Sequence, residues 1–165
     1  MPDILERRLR VVFCGINPGL YSAATGCHFA HPGNRFWKAL HRSGFTDRRL
    51  EPDQQKELPD YGCGLTNMVD RTTVKASELS REELKAGRRS LAGKMGYYRP
   101  NWLAILGLGA YRTGFGEPDA SPGPVDRTIG DTGIWVLPNP SGLNAHYSLE
   151  DFTRLFSELR RAAIE

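Results

Sequence analysis

Residues 15–37, GINPGLYSAATGCHFAHPGNRFW, are the stretch on which the reading of this chain turns. They follow an apolar run, Arg10-Val11-Val12-Phe13-Cys14, and open on the glycine-rich turn Asn17-Pro18-Gly19. A short β-branched run closed by such a turn predicts a buried strand over Leu9–Cys14 that opens a sheet. Phe29 lies a few residues on, and a second turn, Pro32-Gly33-Asn34, leads into Phe36-Trp37. A strand that ends in a turn of this kind places backbone amides and one carboxamide at the rim of a sheet, where open α/β folds build their sites. The stretch points to a pocket for a flat polar ring.

Outward from it, strands and helices alternate. Arg35–Ser43 predicts a helix with Phe36, Trp37 and Leu40 on a shared face and Gly44 at its end. Residues 45–61 are polar and predict a surface connection with one helical turn, and Arg42, Arg48 and Arg49, interrupted by Asp47, predict a solvated helix end. Ser80-Arg81-Glu82-Glu83 is a capping-box pattern that starts a helix running to about Tyr98, with Leu84, Leu91 and Met95 at helical spacing. Trp102–Leu106 and Ile134–Leu137 are two further buried strands, with a short helix over Gly107–Phe115 and a Pro/Gly-rich loop over Gly116–Gly123 between them. Ser148 caps a last helix whose apolar stripe is Leu149, Phe152, Leu155, Phe156 and Leu159. This alternation predicts an α/β fold, a three-layer sandwich around a short, mostly parallel central sheet.

The 165 residues predict one domain over 1–165, long enough to bury roughly 70% of the unfolded surface in one core. Apolar residues make up 39% and charged residues 25%, and no run approaches a membrane span. The N-terminus has no apolar signal-peptide core, so the cytoplasm is the expected compartment. A net charge of +3 is compatible with a polyanionic partner but does not demand one. The three cysteines, Cys14, Cys27 and Cys63, form no C-x-x-C pair, so neither a zinc site nor a four-cysteine iron–sulfur cluster is expected, and reduced thiols are.

Two strand-end turns carry the candidate chemistry: Asn17-Pro18-Gly19 and Asn139-Pro140-Ser141-Gly142-Leu143. If their strands are parallel, both turns open on the same edge of the sheet and face one ligand. No P-loop or ordered Ser-His-Asp signature is present, and Gly15-x-Asn17-x-Gly19 lacks the third glycine and downstream acid of a dinucleotide site.

Gly15–Leu20, Phe29–Trp37, Gly64–Thr73 and Asn139–Leu143, in this order and spacing, resemble the mismatch-specific uracil/thymine DNA glycosylase family of the uracil-DNA glycosylase superfamily. The resemblance runs from about Leu9 to the last helix. It implies a monomer that uses no metal and no cofactor, acts on double-stranded DNA with G·U or G·T mispairs, and hydrolyses the N-glycosidic bond of a flipped-out base to begin base excision repair. Asn17 then holds the position of the water-placing residue, and Phe29 that of the aromatic that stacks on the base. Asn67 faces the Watson–Crick edge, Ser22 lies near C5, and backbone groups of Ile16 and Phe29 touch the ring. Asn139, Ser141, Gly142 and Leu143 correspond to the loop that wedges into the base stack and touches the DNA backbone. Two positions depart from the pattern. Asn67 stands where many bacterial members carry lysine, which resembles the thymine-processing branch. Ala145, followed by His146 and Tyr147, stands where relatives carry an arginine that holds the opposite guanine. A broad uracil-DNA glycosylase indifferent to the opposite base, and a non-catalytic mismatch-binding module, are the two alternatives at this stage.

Overall fold

The computed structural model describes residues 1–164. Five strands form one sheet in the order β2-β1-β3-β5-β4. They are β1 (Val11–Gly15), β2 (Cys63–Asn67), β3 (Trp102–Leu106), β4 (Gly123–Ile129) and β5 (Thr132–Leu137). β2, β1, β3 and β5 run parallel, and β4 returns antiparallel along β5. The helices are α1 (Leu20–Thr25), α2 (Phe36–Arg42), α3 (Arg81–Tyr98), α4 (Leu108–Phe115) and α5 (Leu149–Ile164), with a 3-10 helix over Pro52–Tyr61.

β1, β3 and residues 134–137 of β5 are apolar throughout because both faces are covered, and the alternation of side chains divides them between two layers. Phe13, Ala104, Trp135 and Leu137 face α2 and α5, meeting Phe36, Leu40, Phe152 and Phe156. Val12, Cys14, Leu103, Ile105, Ile134 and Val136 face α3 and α4, meeting Leu91, Met95, Tyr111 and Phe115. The expected three-layer α/β sandwich is the observed one. Each fully buried Phe or Leu contributes about 1.5–3 kcal/mol of transfer free energy. Burial keeps the Cys14 thiol protonated and pushes the Cys63 thiol up to about 12, so neither is a ready nucleophile.

Several elements differ from the sequence reading. β2 and α1 were not expected as elements, residues 52–61 form a full 3-10 segment, and β4 follows the Pro/Gly-rich loop. β2 is an edge strand guarded by the N-terminal segment: Ile4 and Leu65 exchange N–H···O bonds of 2.9 and 2.8 Å. Gly64 permits that approach, since a Cβ there would lie 2.6 Å from the Ile4 carbonyl. The segment after β2 is fixed just as tightly. Met68 sits where Gly87 of α3 and Gly114 of α4 leave room, a Cβ at either meeting Met68 at 2.5 Å.

Candidate active site

Parallel strands end on the same edge, so β1 and β5 deliver Asn17 and Asn139 to one side of the sheet. There they line a single cavity of about 940 Å³ together with Ile16, Ser22, Phe29, Asn67, Ser141, Gly142 and Leu143. The residues that the resemblance assigns to base and wedge thus line one cavity, while Ala145 and His146 do not. A volume of this size lies within the range of small-molecule sites. None of the lining residues is Asp or Glu. Among the described residues no group of three His, Cys, Asp or Glu could hold a metal ion.

Asn17 stands just past the end of β1, on a turn knitted to the segment after β2. Met68 N–H donates to the Gly15 carbonyl (2.8 Å), Val69 N–H to Ile16 (2.9 Å) and Thr73 N–H to Pro18 (3.2 Å). The side chain is oriented by the same segment. Asn17 Nδ2 donates to the Arg71 carbonyl and to Thr73 Oγ1, both at 2.8 Å. A carbonyl only accepts, so the nitrogen must face Arg71, and Oδ1 is left to the cavity. Thr73, buried, passes its own proton to the Lys75 carbonyl at 2.8 Å. Arg71 is pinned in turn by a two-pronged ion pair to Glu83 at the start of α3 (3.1 and 3.2 Å).

Phe29 and Asn67 meet over Gly15. A Cβ on Gly15 would lie 2.7 Å from Asn67 Oδ1 and 3.3 Å from two carbons of the Phe29 ring, so only glycine lets both converge there. Phe29 stacks on Phe36 with centroids 4.3 Å apart and planes at 28°, which leaves its other face to the cavity. Its φ of +53° lies in the left-handed region, uncommon for a bulky residue, and such strain persists only where neighbours enforce it. The neighbours here are specific. Ser22 Oγ accepts the Ala30 N–H at 3.1 Å, and Gln55 Oε1 accepts the His28 N–H at 2.8 Å, while the Trp37 indole donates to the His28 carbonyl. Ser22 thus holds the backbone beside Phe29. Among the described residues, no backbone partner takes the N–H of Ile16 or of Phe29.

His28, buried beneath this segment, donates from Nε2 to the Pro2 carbonyl at 2.7 Å. Burial lowers its pKa below the usual imidazole value despite that bond, so the ring is neutral at neutral pH.

The far turn is a compact loop closed on itself. Asn139 Oδ1 accepts the Ser141 N–H (3.0 Å), and Ser141 Oγ accepts the Leu143 N–H (3.2 Å). Asn144 is committed at both ends, donating to the Asn139 carbonyl and accepting the His146 N–H, each at 3.0 Å. These bonds present Leu143 outward, 71% exposed. Leu20, Tyr21 and Val74 are also exposed and also line this cavity. Large apolar side chains gathered exposed at one mouth mark a contact surface. Ala145 and His146 are exposed beside them.

Sequence reasoning missed three residues that build this site. Thr73 orients Asn17, Gly15 admits Phe29 and Asn67, and Arg35 ties the far loop to α2. Arg35 carried a readable signal: a cation at a helix N-terminus opposes the helix dipole and calls for a tertiary reason. A second, smaller cavity of about 460 Å³ is also lined by Phe29, with Trp37, Leu50 and the mixed charges of Lys38, Arg49, Glu51 and Asp53.

Two comparisons bear on this arrangement. The sequence model of the uracil DNA glycosylase superfamily matches residues 2–161. The fold is similar to the solution NMR structure of a "putative Uracil DNA glycosylase" from Methanosarcina acetivorans, with a TM-score of 0.62 and 19% identity over 97% of this chain and 96% of that one.

Proposed function

Since the chain belongs to the uracil DNA glycosylase superfamily, whose members are DNA glycosylases, we propose that it is a monofunctional enzyme that releases uracil mispaired with guanine in double-stranded DNA. The observation that carries the reading is the orientation of Asn17. Its nitrogen is taken up by the Arg71 carbonyl and Thr73 Oγ1, which leaves Oδ1 as the acceptor that Asn17 offers to a cavity also lined by Phe29 and Asn67.

The chemistry follows from that placement. A base inside a duplex is out of reach, so it is extruded at a cost of a few kcal/mol, least at a mispair. The ring slides over the open face of Phe29, a stacking contact worth roughly 1–3 kcal/mol. Asn67 pairs with the Watson–Crick edge, its NH₂ donating to O4 and its Oδ1 accepting N3–H. The free N–H groups of Ile16 and Phe29 supply donors for ring oxygens. As the bond between C1′ and the ring nitrogen breaks, its electron pair leaves with the base as an anion. The sugar becomes oxocarbenium-like, and the water held by Asn17 Oδ1 adds to C1′, losing its proton to solvent. A carboxamide is no base at neutral pH, so the rate comes from placement and from stabilising the departing anion. Thymine adds one methyl group beside Ser22, a difference usually worth about 1–3 kcal/mol, so uracil is preferred by a finite factor.

Leu143 fills the space that the extruded base leaves, an apolar wedge of the kind that kinks duplexes. The opposite guanine then meets the loop backbone and His146. A second reading rests on Ala145: with no long side chain at that exposed position, the opposite base goes unread and any uracil is released.

The test is formation of alkali-sensitive sites in labelled G·U, A·U and single-stranded uracil oligonucleotides. Release confined to G·U supports the mismatch-specific reading. Comparable release from all three supports the broad one, and release from none removes the enzyme.

A further inference from the structure

Arg35 reaches from the start of α2 across to the far loop and bonds it at four carbonyls. Its backbone N–H donates to the Pro140 carbonyl at 3.0 Å, and Nε approaches the same oxygen at 3.4 Å. Nη2 donates to Ser141 (2.6 Å) and Asn144 (2.8 Å), and Nη1 donates to Tyr147. The guanidinium carbon lies 4.7 Å from the centroid of the Phe152 ring, which fixes its plane. Among the described residues no carboxylate pairs with it, so every donor that it commits goes to this loop. The two turns also touch directly, since a Cβ on Gly142 would lie 2.9 Å from the Gly33 carbonyl.

We propose that Arg35 is the positioning residue of the wedge: it holds residues 140–147 in their inserting shape before DNA arrives. This inference rests on the reading of the cavity as a base-release site. Bonds from a charged donor are stronger than those between neutral groups, and a planar fork reaches several acceptors at fixed angles. Ordering the loop in advance removes its entropy cost from the extrusion step. The placement is electrostatically unfavourable for α2 itself, whose N-terminus already carries partial positive charge, so the residue is tolerated there for what it does to the loop.

Arg35→Lys keeps the charge and removes the fork. It leaves affinity for fully paired duplex within about twofold, yet slows release from G·U duplex by about tenfold in kcat, the scale of a small misplacement at a site. In a double-mutant cycle with Leu143→Ala, the double variant is no slower than the slower single variant by more than about threefold, because both act through one wedge. Amide exchange of Leu143, Asn144 and His146 speeds up in Arg35→Lys while that of the β3 amides is unchanged. Wild-type kinetics from Arg35→Lys, losses that multiply in the cycle, or unchanged loop exchange would each overturn the proposal. Should Arg35→Lys not fold, Gly142→Ala displaces the same loop and is required to show the same non-additivity with Leu143→Ala. A wild-type protein that releases no uracil overturns the reading of the cavity instead, and the exchange measurement still decides the clamp.

Discussion

Thr73 Oγ1 accepts a 2.8 Å hydrogen bond from Asn17 Nδ2 while giving its own proton to the Lys75 carbonyl. The direction of that chain leaves no freedom in the Asn17 amide. It also joins the turn after β1 to the segment after β2, so the orientation of Asn17 depends on a residue 56 positions away in sequence.

Thr73→Val removes one of the two acceptors of Asn17 Nδ2 and leaves the Arg71 carbonyl alone to orient the amide. Base release is expected to slow by about tenfold to a hundredfold, the scale associated with misplacing a reacting group. Thr73→Ser restores it. Single-turnover release from a G·U duplex measures both, and equal rates for the valine variant and wild type would remove the orienting role.

Gly15→Ala places a methyl group 2.7 Å from Asn67 Oδ1 and 3.3 Å from the Phe29 ring. Overpacking of this kind costs about 1–3 kcal/mol, and here it falls on the two groups proposed to receive the base. Release should drop by more than about tenfold. Thermal denaturation, followed alongside the assay, separates that loss from global unfolding.

Asn67→Asp turns a group that donates and accepts into one that only accepts at neutral pH. Facing uracil O4 it repels, so release of uracil is expected to fall by at least about a hundredfold, as when a polar edge is left unpaired. A variant that still releases uracil at the wild-type rate would show that Asn67 does not read the ring.

His28 makes stability depend on pH. Burial depresses its folded pKa below the ordinary value of 6.5, so the unfolded chain binds the proton first as pH falls. Its contribution is fully present above 6.5 and is lost as pH falls through the depressed folded value. Asp151, held down by its bonds from Ser148, acts in a separate window below its ordinary value of 3.8. Melting temperature is expected to decline between pH 7 and pH 5 in the wild type and to decline less in His28→Gln, whose amide can still donate to Pro2.

How much of this was legible in the sequence depended on what each residue answers to. β1, β3 and β5 are buried on both faces, so their apolar runs announce them. β2 does not, because its Gly64 answers to the Ile4 carbonyl and its Thr66 to Asp3 and Lys94, contacts that no local pattern reveals. β4 is an edge strand with alternating exposure, and its Pro124 reads as loop. Within the site, the motifs named Asn17, Phe29, Asn67 and Leu143, which line one cavity. Thr73 left no local signal, and Arg35 left only its unfavourable place at a helix N-terminus, since each acts on backbone or side chain contributed from a distant stretch.

The most direct test sets wild type beside Asn17→Ala on one labelled G·U duplex, with alkali-sensitive sites and duplex affinity measured on the same preparations. The account predicts release by the wild type and a loss of about a hundredfold or more in the variant, with affinity within about threefold because the side chain faces the water and not the phosphates. Comparable release by Asn17→Ala, or none by the wild type, would contradict it.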